Sequence, residues 1–348
     1  MALQFLSPFN FSGKPQIALA GANTQTWSTY NDFNTGTTQS QVTINDSSNP
    51  TDENLGNVKL ADAFGTGIDC DVTIGDGSTA TTVYIKDLYE LGTNAALTRV
   101  TLANCANPAK NGSGKGLNYG ASSYLASASA VPNFHNLTIT ANATLTTTGP
   151  SGANPGVKIK FLVKNSLTVD GSINASGKGY GGGPGGDTIG YGPGAGTSAG
   201  YYLSGGGSGG GYGGAGGYGR IYGGTIAGGV AYTYQTSPFG SGGGAGYSGS
   251  SYLAGGAGGG AIDFSASLLT VNGNILADGA NGGGAGGSGG SVHIISSSGI
   301  NSSKLSAKGG TGNTCYWWNY TYNGSGGGGG GRVILEIPAG LITGSPLL

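Results

Sequence analysis

Six consecutive glycines, Gly326 to Gly331, end a glycine-dominated stretch that begins at Gly177. Residues 177–331 hold 58 of the chain's 77 glycines and only seven charged residues. Ordering glycine costs more conformational entropy than ordering any other residue, and glycine brings no side chain to bury in return. A collagen triple helix needs glycine at every third position and abundant proline; that period is absent, and there are only 12 prolines. Disordered chains are normally charged and poor in aromatic and β-branched residues, whereas 8% of this chain is charged and 9% aromatic. A flexible Gly/Ser linker fits the composition but not the apolar strands that recur between the runs. The longest run, Gly177 to Gly258, is also far beyond the usual size of a structureless loop. Ordered glycine is the expectation: extended threefold segments, the polyglycine counterpart of polyproline II, packed so that each satisfies its neighbours' N–H and C=O groups, with a disordered Gly/Ser linker as the alternative.

The strands between the runs repeat. "LTVDGSINASGKG" begins at Leu167 and "LTVNGNILADGANG" at Leu269, and they align Gly171 with Gly273, Ile173 with Ile275 and Ala175 with Ala277. "LTITANATLTTTG" at Leu137 is a weaker copy, and Leu305 and Ala307 take the Ile and Ala positions of another. Ahead of each copy runs a second strand type: "VKIKFLVKN", "GGGAIDFSAS", "GGSVHIISS" and "GGGRVILEI". The unit is then a strand, a short bend, a second strand and a glycine-rich excursion. Period-2 alternation points Val169, Ile173 and Ala175 inward in one copy, and Val271, Ile275 and Ala277 in the next. Such a unit buries its apolar face only by stacking on its neighbours. The fold class expected is all-β: an N-terminal β module, then a stacked β-solenoid or β-helix-like domain with ordered polyglycine II excursions. A β-sandwich built from the same strands is the alternative.

Glycine density and strand grammar place a domain boundary near residue 130, giving 1–130 as an attachment or assembly module and 131–348 as the repeat domain. Within the first, "KDLYELGTNAALTRV" is the only candidate for a short helix, and Gly75, Asp76 and Gly77 mark a turn. Asp69, Asp71 and Asp76 lie close together, but their spacing matches no EF-hand loop, and a polar hairpin turn is the expectation. Cys70, Cys105 and Cys315 form neither a CxxC metal site nor a disulfide framework; buried free thiols are expected, with a Cys70–Cys105 bridge as the alternative.

The net charge is −1, and the 14 lysines and arginines form no basic stripe, so nucleic acid is not an expected partner. No apolar run approaches a membrane span. The N-terminal "MALQFLSPFNFSGK" lacks a basic n-region and is interrupted by Pro8 and Asn10, so no secretory signal is expected there.

Aromatic inserts interrupt the glycine runs: "DTIGYGPGAGTSAGYYLS", "RIYGGTIAGGVAYTYQTSPFGS", "YSGSSYLA" and "NTCYWWNYTYNGS". Of 19 tyrosines, 14 lie from Tyr180 onward. If glycine segments are rods, the inserts are the loops where the rods turn. They carry the Tyr, Trp, Ser, Gly and Asn vocabulary of antibody binding loops, whose aromatic faces stack on sugars or on partner side chains. The expected contact residues are Tyr316, Trp317, Trp318, Tyr320 and Tyr322, with Tyr201, Tyr202, Tyr232, Tyr234 and Tyr252. The competing assignment is that these rings cap the glycine bundle and shield its backbone.

This alternation resembles the glycine-rich receptor-binding adhesins of T-even phage long tail fibres. The similar region is residues 177–331, with glycine blocks such as "GGGSGGGYGGAGG" and "GANGGGAGGSGG" separated by Tyr-rich inserts. The resemblance implies a polyglycine bundle, loops that contact the host surface, and a place in the virion. The function expected is that of a non-enzymatic adhesin without cofactor, bound to a host cell-surface receptor (a polysaccharide or an outer-surface protein) and to other fibre proteins, compatible with a homo-oligomer. A capsid-decorating or filament subunit that uses its aromatics in subunit contacts is the alternative from another class. A cellular surface adhesin exported without a signal comes third.

Polysaccharide cleavage would need paired carboxylates across one bond. Asp170, Asp187, Asp263, Asp278 and Glu336 are available, but the repeat alignment sets Asp170 against Asn272 and Asp278 against Ser176, so they are not expected to share one face. His135 and His293 are far apart in sequence, and a surface or structural role is expected for His293.

Overall fold

The computed structural model describes residues 71–85, 133–199, 205–221, 223–248, 251–315, 324–338 and 341–347. It also describes the backbone alone of the strands Gln16–Ala18, Thr24–Trp27, Val42–Ile44 and Val100–Ala103, and of residues 316, 317 and 320–322. The expected helix at 86–100 and the Cys70–Cys105 pair lie outside the described residues, apart from the strand residue Val100. Helix among the described residues is confined to short 3-10 turns such as Ser302–Lys304.

Alternation builds the strands. Ile159–Val169 buries Ile159, Phe161, Val163, Leu167 and Val169 and turns Lys160 and Leu162 outward. Ala261–Val271 buries Ile262, Phe264, Ala266 and Leu269. The two long strands run side by side in parallel, Phe161 against Phe264 and Leu167 against Leu269, with one irregularity near Ala266. A seven-stranded sheet forms in the order Arg332–Glu336, Ser291–Ser296, Ala261–Val271, Ile159–Val169, Asn133–Ile139, Asp71–Ile74, Val100–Ala103. Every neighbouring pair is parallel except the last. A second, wholly parallel sheet has the order Leu305–Ser306, Asn274–Leu276, Ser172–Asn174, Ala143–Thr146, Thr81–Tyr84. Apart from Val100–Ala103, both sheets follow chain order. Separately, Gln16–Ala18, Thr24–Trp27 and Val42–Ile44 form a small antiparallel sheet.

The repeat alignment holds residue by residue: Ile173 pairs with Ile275, Ile275 with Leu305, and Val169 with Val271. One detail differs from expectation. The stretch from Leu167 to Ala175 is not a single second strand: Leu167–Val169 continues the long strand, and the chain turns a corner at Asp170–Gly171 before Ser172–Asn174 joins the other sheet. The corners copy one another. The amides of Asp170 and Gly171 donate to Ile139 O at 2.8 and 3.1 Å, and those of Asn272 and Gly273 donate to Val169 O at 2.9 and 2.8 Å. A Cβ at Gly273 would overlap the Gly171 carbonyl in the corner below, so stacking requires glycine there.

The corner at Gly75–Gly77 corrects a second expectation. Both glycines adopt positive φ (85° and 79°), and Asp76 accepts hydrogen bonds from the amides of Ser78 (2.9 Å) and Thr79 (2.7 Å). Donation from the Thr79 amide, then from Ser78, holds its carboxyl well below the usual carboxylate range. The turn is polar as expected, but it closes no hairpin. Asp71–Ile74 and Thr81–Tyr84 belong to different sheets, because each finds a parallel partner in the next unit. Those pairings carry both sheets across residue 130.

Inward side chains of the two sheets meet in one core, with Ile139, Val169, Ile173, Ile275 and Leu305 fully buried in it. Phe161 and Phe264 stack with centroids 5.0 Å apart, and Phe134 meets Phe161 edge-on at 6.1 Å. Burying a ring of this kind contributes about 1.5–3 kcal/mol.

The glycine excursions leave the short strands and return to the long ones, closed each time by the same bond. Gly260 N–H donates to Ala175 O, Gly290 to Ala277 O and Gly331 to Ala307 O, each at 2.7 Å. Between departure and return, glycine segments bond laterally across long separations: Gly179 to Gly258 O (2.7 Å), Gly256 to Ala285 O (2.8 Å) and Gly286 to Gly326 O (2.9 Å). Residues 205–212, 240–247 and 284–292 are all buried. A Cβ at Gly209, Gly286 or Gly328 would overlap the carbonyl of Gly327, Gly310 or Gly287. Closeness of backbones, rather than turn conformation, is what most of these glycines supply.

Candidate functional site

Three of the aromatic inserts fold as two-stranded antiparallel ribbons. Gly219–Ile221 pairs with Gly224–Ile226 across a turn with Gly223 at φ 78°. Gly246–Ser248 pairs with Ser251–Leu253, and Cys315–Trp317 pairs with Tyr320–Tyr322. Glycine segments bring the three together. The Gly205 carbonyl accepts from Tyr247 N–H at 2.9 Å, Gly206 N–H donates to Arg220 O at 2.9 Å, and Arg220 N–H donates to Gly324 O at 3.1 Å. A Cβ added at Gly246 would come into van der Waals contact with Cys315 Sγ, 3.5 Å away. Cys315 is fully buried beside Ser325 Oγ (3.3 Å), and burial pushes its thiol pKa up.

Of the expected contact residues, Tyr252 lies on the second ribbon, cross-strand from Tyr247, with the rings 5.1 Å apart. Tyr247 is buried and Tyr252 is 49% exposed, so the inner ring braces the outer one. The backbones of Tyr316, Trp317, Tyr320 and Tyr322 form the third ribbon, with Trp317 opposite Tyr320. Trp318, Tyr201 and Tyr202 lie outside the described residues. Tyr218, absent from the expected set, is 68% exposed next to the first ribbon.

Tyr232 and Tyr234 belong to another neighbourhood, against the outer face of the seven-stranded sheet. Tyr232 packs on Tyr212, with centroids 4.9 Å apart, and its hydroxyl bonds Phe239 O and Ser241 Oγ. Desolvation drives its pKa strongly upward. Its hydroxyl thus closes the 232–241 loop. Tyr234 is half-buried over a row of charges. Lys158 Nζ lies 3.3 Å from Asp263 Oδ2 and 5.6 Å from the Tyr234 ring centre. His293 presents Nδ1 to Asp263 Oδ1 at 3.1 Å and Nε2 to Glu336 Oε1 at 2.8 Å, and its ring meets Tyr234 edge-on at 6.0 Å.

This row corrects the expectation that the carboxylates share no face. Asp263 and Glu336 do share one, at opposite nitrogens of His293. The signal was present in the first strand type, where Lys160, Asp263 and His293 occupy one register column; the second strand type, with Asp170 and Asp278, does not contain it. The pair is occupied with a histidine between its members rather than open to a substrate, so the row ties three adjacent strands together. Among the described residues no cluster of His, Cys, Asp or Glu is arranged to hold a metal ion, and no helix is long and apolar enough to cross a membrane.

Beside this row a cleft of about 390 Å³ opens between Gly213, Thr233, Tyr234 and Gln235 on one side and residues 331–334 on the other. Arg332 reaches across it, donating from one terminal nitrogen to Tyr232 O at 2.8 Å and lying 5.7 Å from the Tyr212 ring centre. Compared with known proteins, the chain matches no family model, no curated protein and no solved structure.

Proposed function

We propose that the chain is a non-enzymatic phage tail-fibre or tail-tip adhesin, in which a stacked β-solenoid carries a polyglycine II bundle and the bundle presents aromatic ribbons to a host surface receptor. The observation that carries this reading is the convergence of three antiparallel ribbons on one set of glycine residues, Gly205, Gly246 and Gly324. A buried, side-chain-free body leaves its turns as the places where large rings can project, and rigid amphipathic rings bind at low entropic cost. The solenoid assignment rests on parallel neighbours in chain order with corners in register. The polyglycine assignment rests on lateral backbone bonds and overlapping Cβ positions. The N-terminal residues attach the chain to the rest of the fibre.

Replacing Trp317 and Trp318 together with alanine is expected to abolish adsorption of otherwise assembled particles to host cells. Wild-type adsorption by that double variant would remove the ribbons from the receptor contact.

A structural subunit is the second reading, favoured by exposed apolar residues beyond the Arg332–Glu336 strand: Leu341, Ile342 and Leu347 are 41–50% exposed. Electron-microscopic localisation separates the two readings, at a distal tip for an adhesin or repeated along a shell or shaft for a scaffold.

A further inference from the structure

We propose that the cleft beside the Arg332–Glu336 strand binds a carboxylate-bearing saccharide, with Arg332 as its charge partner and Tyr234 as its stacking face. The choice of a saccharide rests on the adhesin reading; the cleft and its charge do not.

Four observations meet at this place. The first is a cation without a counter-ion. Among the described residues the ion pairs are Lys158–Asp263, Asp263–His293 and His293–Glu336, and Arg332 has no carboxylate partner. Among the described residues its buried Nε has no hydrogen-bond partner, its one guanidinium hydrogen bond goes to Tyr232 O, and the group lies over the Tyr212 ring. A half-buried guanidinium without a counter-ion still offers its second terminal nitrogen for a charge-assisted hydrogen bond to a carboxylate. Glu336, on the same face, is engaged by His293 and does not supply that anion.

The second is an open strand edge. Arg332 N–H donates to Gly290 O, which directs Arg332 toward Ser291–Ser296. In a parallel ladder the alternating residues, Val333 and Leu335, then turn their N–H and C=O groups the other way. No strand pairs on that side among the described residues, and Val333 lines the cleft. The third is the lining itself. Thr233, Tyr234 and Gln235 offer hydroxyl and amide groups that match a hydroxyl-dense ligand, and Tyr234 adds an aromatic face. The fourth is size: an open cleft of about 390 Å³ is far more than a bare inorganic anion fills. A single short edge with one lining residue gives an extended peptide little ladder to join, which favours the sugar.

Calorimetric titration of the full chain with trigalacturonate and with 3′-sialyllactose, each beside its neutral methyl ester, tests this. At least one acid is expected to bind roughly tenfold or more tightly than its ester. Arg332→Gln is expected to erase that difference, Arg332→Lys to keep part of it, and Tyr234→Ala to weaken acid and ester alike. Because Arg332 also holds Tyr232 O, the lysine variant and Tyr234→Ala decide between the outcomes if the glutamine variant does not fold. Equal binding of acid and ester, no binding of either acid, an acid preference that survives Arg332→Gln, or tighter binding of a tetra-alanine carboxylate would each overturn the proposal. A chain that binds neither acid yet still coats host cells sinks the cleft and leaves the adhesin. A chain that binds an acid through Arg332 but coats no host cell does the reverse.

Discussion

Tyr212 is fully buried, and burial pushes its pKa up to about 12. Tyr232 beside it is raised further, also by burial. Raised phenol pKa values mean that folding favours the neutral form. The stability they contribute is therefore complete below the unfolded value of about 10 and is lost as pH rises through the folded values. In an alkaline titration followed at 295 nm, at least two tyrosines should ionise only together with the loss of the β circular-dichroism signal. Ionisation of every tyrosine near pH 10 with the fold intact would contradict their burial. In the sequence Tyr232 and Tyr234 look alike, two residues apart in one insert. Only loop closure gives the first a carbonyl and a serine to bond and leaves the second over Lys158 and His293, because hydroxyl partners 7 and 9 residues away leave no periodic trace.

Among the elements, the glycine segments differ from ordinary loops in what they exclude. At Gly209 an added methyl group would meet the Gly327 carbonyl, whereas at Gly224 it would meet nothing within 4 Å. Gly209→Ala is therefore expected to cost about 1–3 kcal/mol or more, as overpacking does. Gly224→Ala should leave stability unchanged or raise it by up to about 1 kcal/mol by restricting the unfolded chain. Denaturant midpoints of the two variants check this, and equal midpoints would mean that the segments do not pack. The strand register was legible in the sequence because the inward residues repeat in type: Ile173, Ile275 and Leu305 stack, and Ala175, Ala277 and Ala307 each close an excursion. The corner at Gly171 was not, since Leu167 to Ala175 alternates straight through it. Of the Asp263–His293–Glu336 row only the first pair was legible, because Asp263 and His293 are direct cross-strand partners, whereas Glu336 lies two residues beyond the partner of His293 and meets it by reaching along the strand.

For the molecule as a whole, the central expectation is that its glycine-rich half is as rigid as its sheets. Amides of residues 205–211, 240–246 and 284–290, buried and largely bonded to other segments, should exchange as slowly as those of Ile159–Val169 in a hydrogen-exchange experiment. Exchange at random-coil rates across those residues would remove the body on which the ribbons sit. That the described residues are nearly all β, that their units stack in register and that the glycines pack rather than dangle followed from apolar period, repeat spacing and the scarcity of charge, all of which are local or periodic properties. Which rings lie under other rings, which carboxylates share a histidine and which arginine is left without a partner were decided by the tertiary structure alone. Those outcomes depend on where separate excursions return, and a backbone without side chains carries no written record of its neighbours.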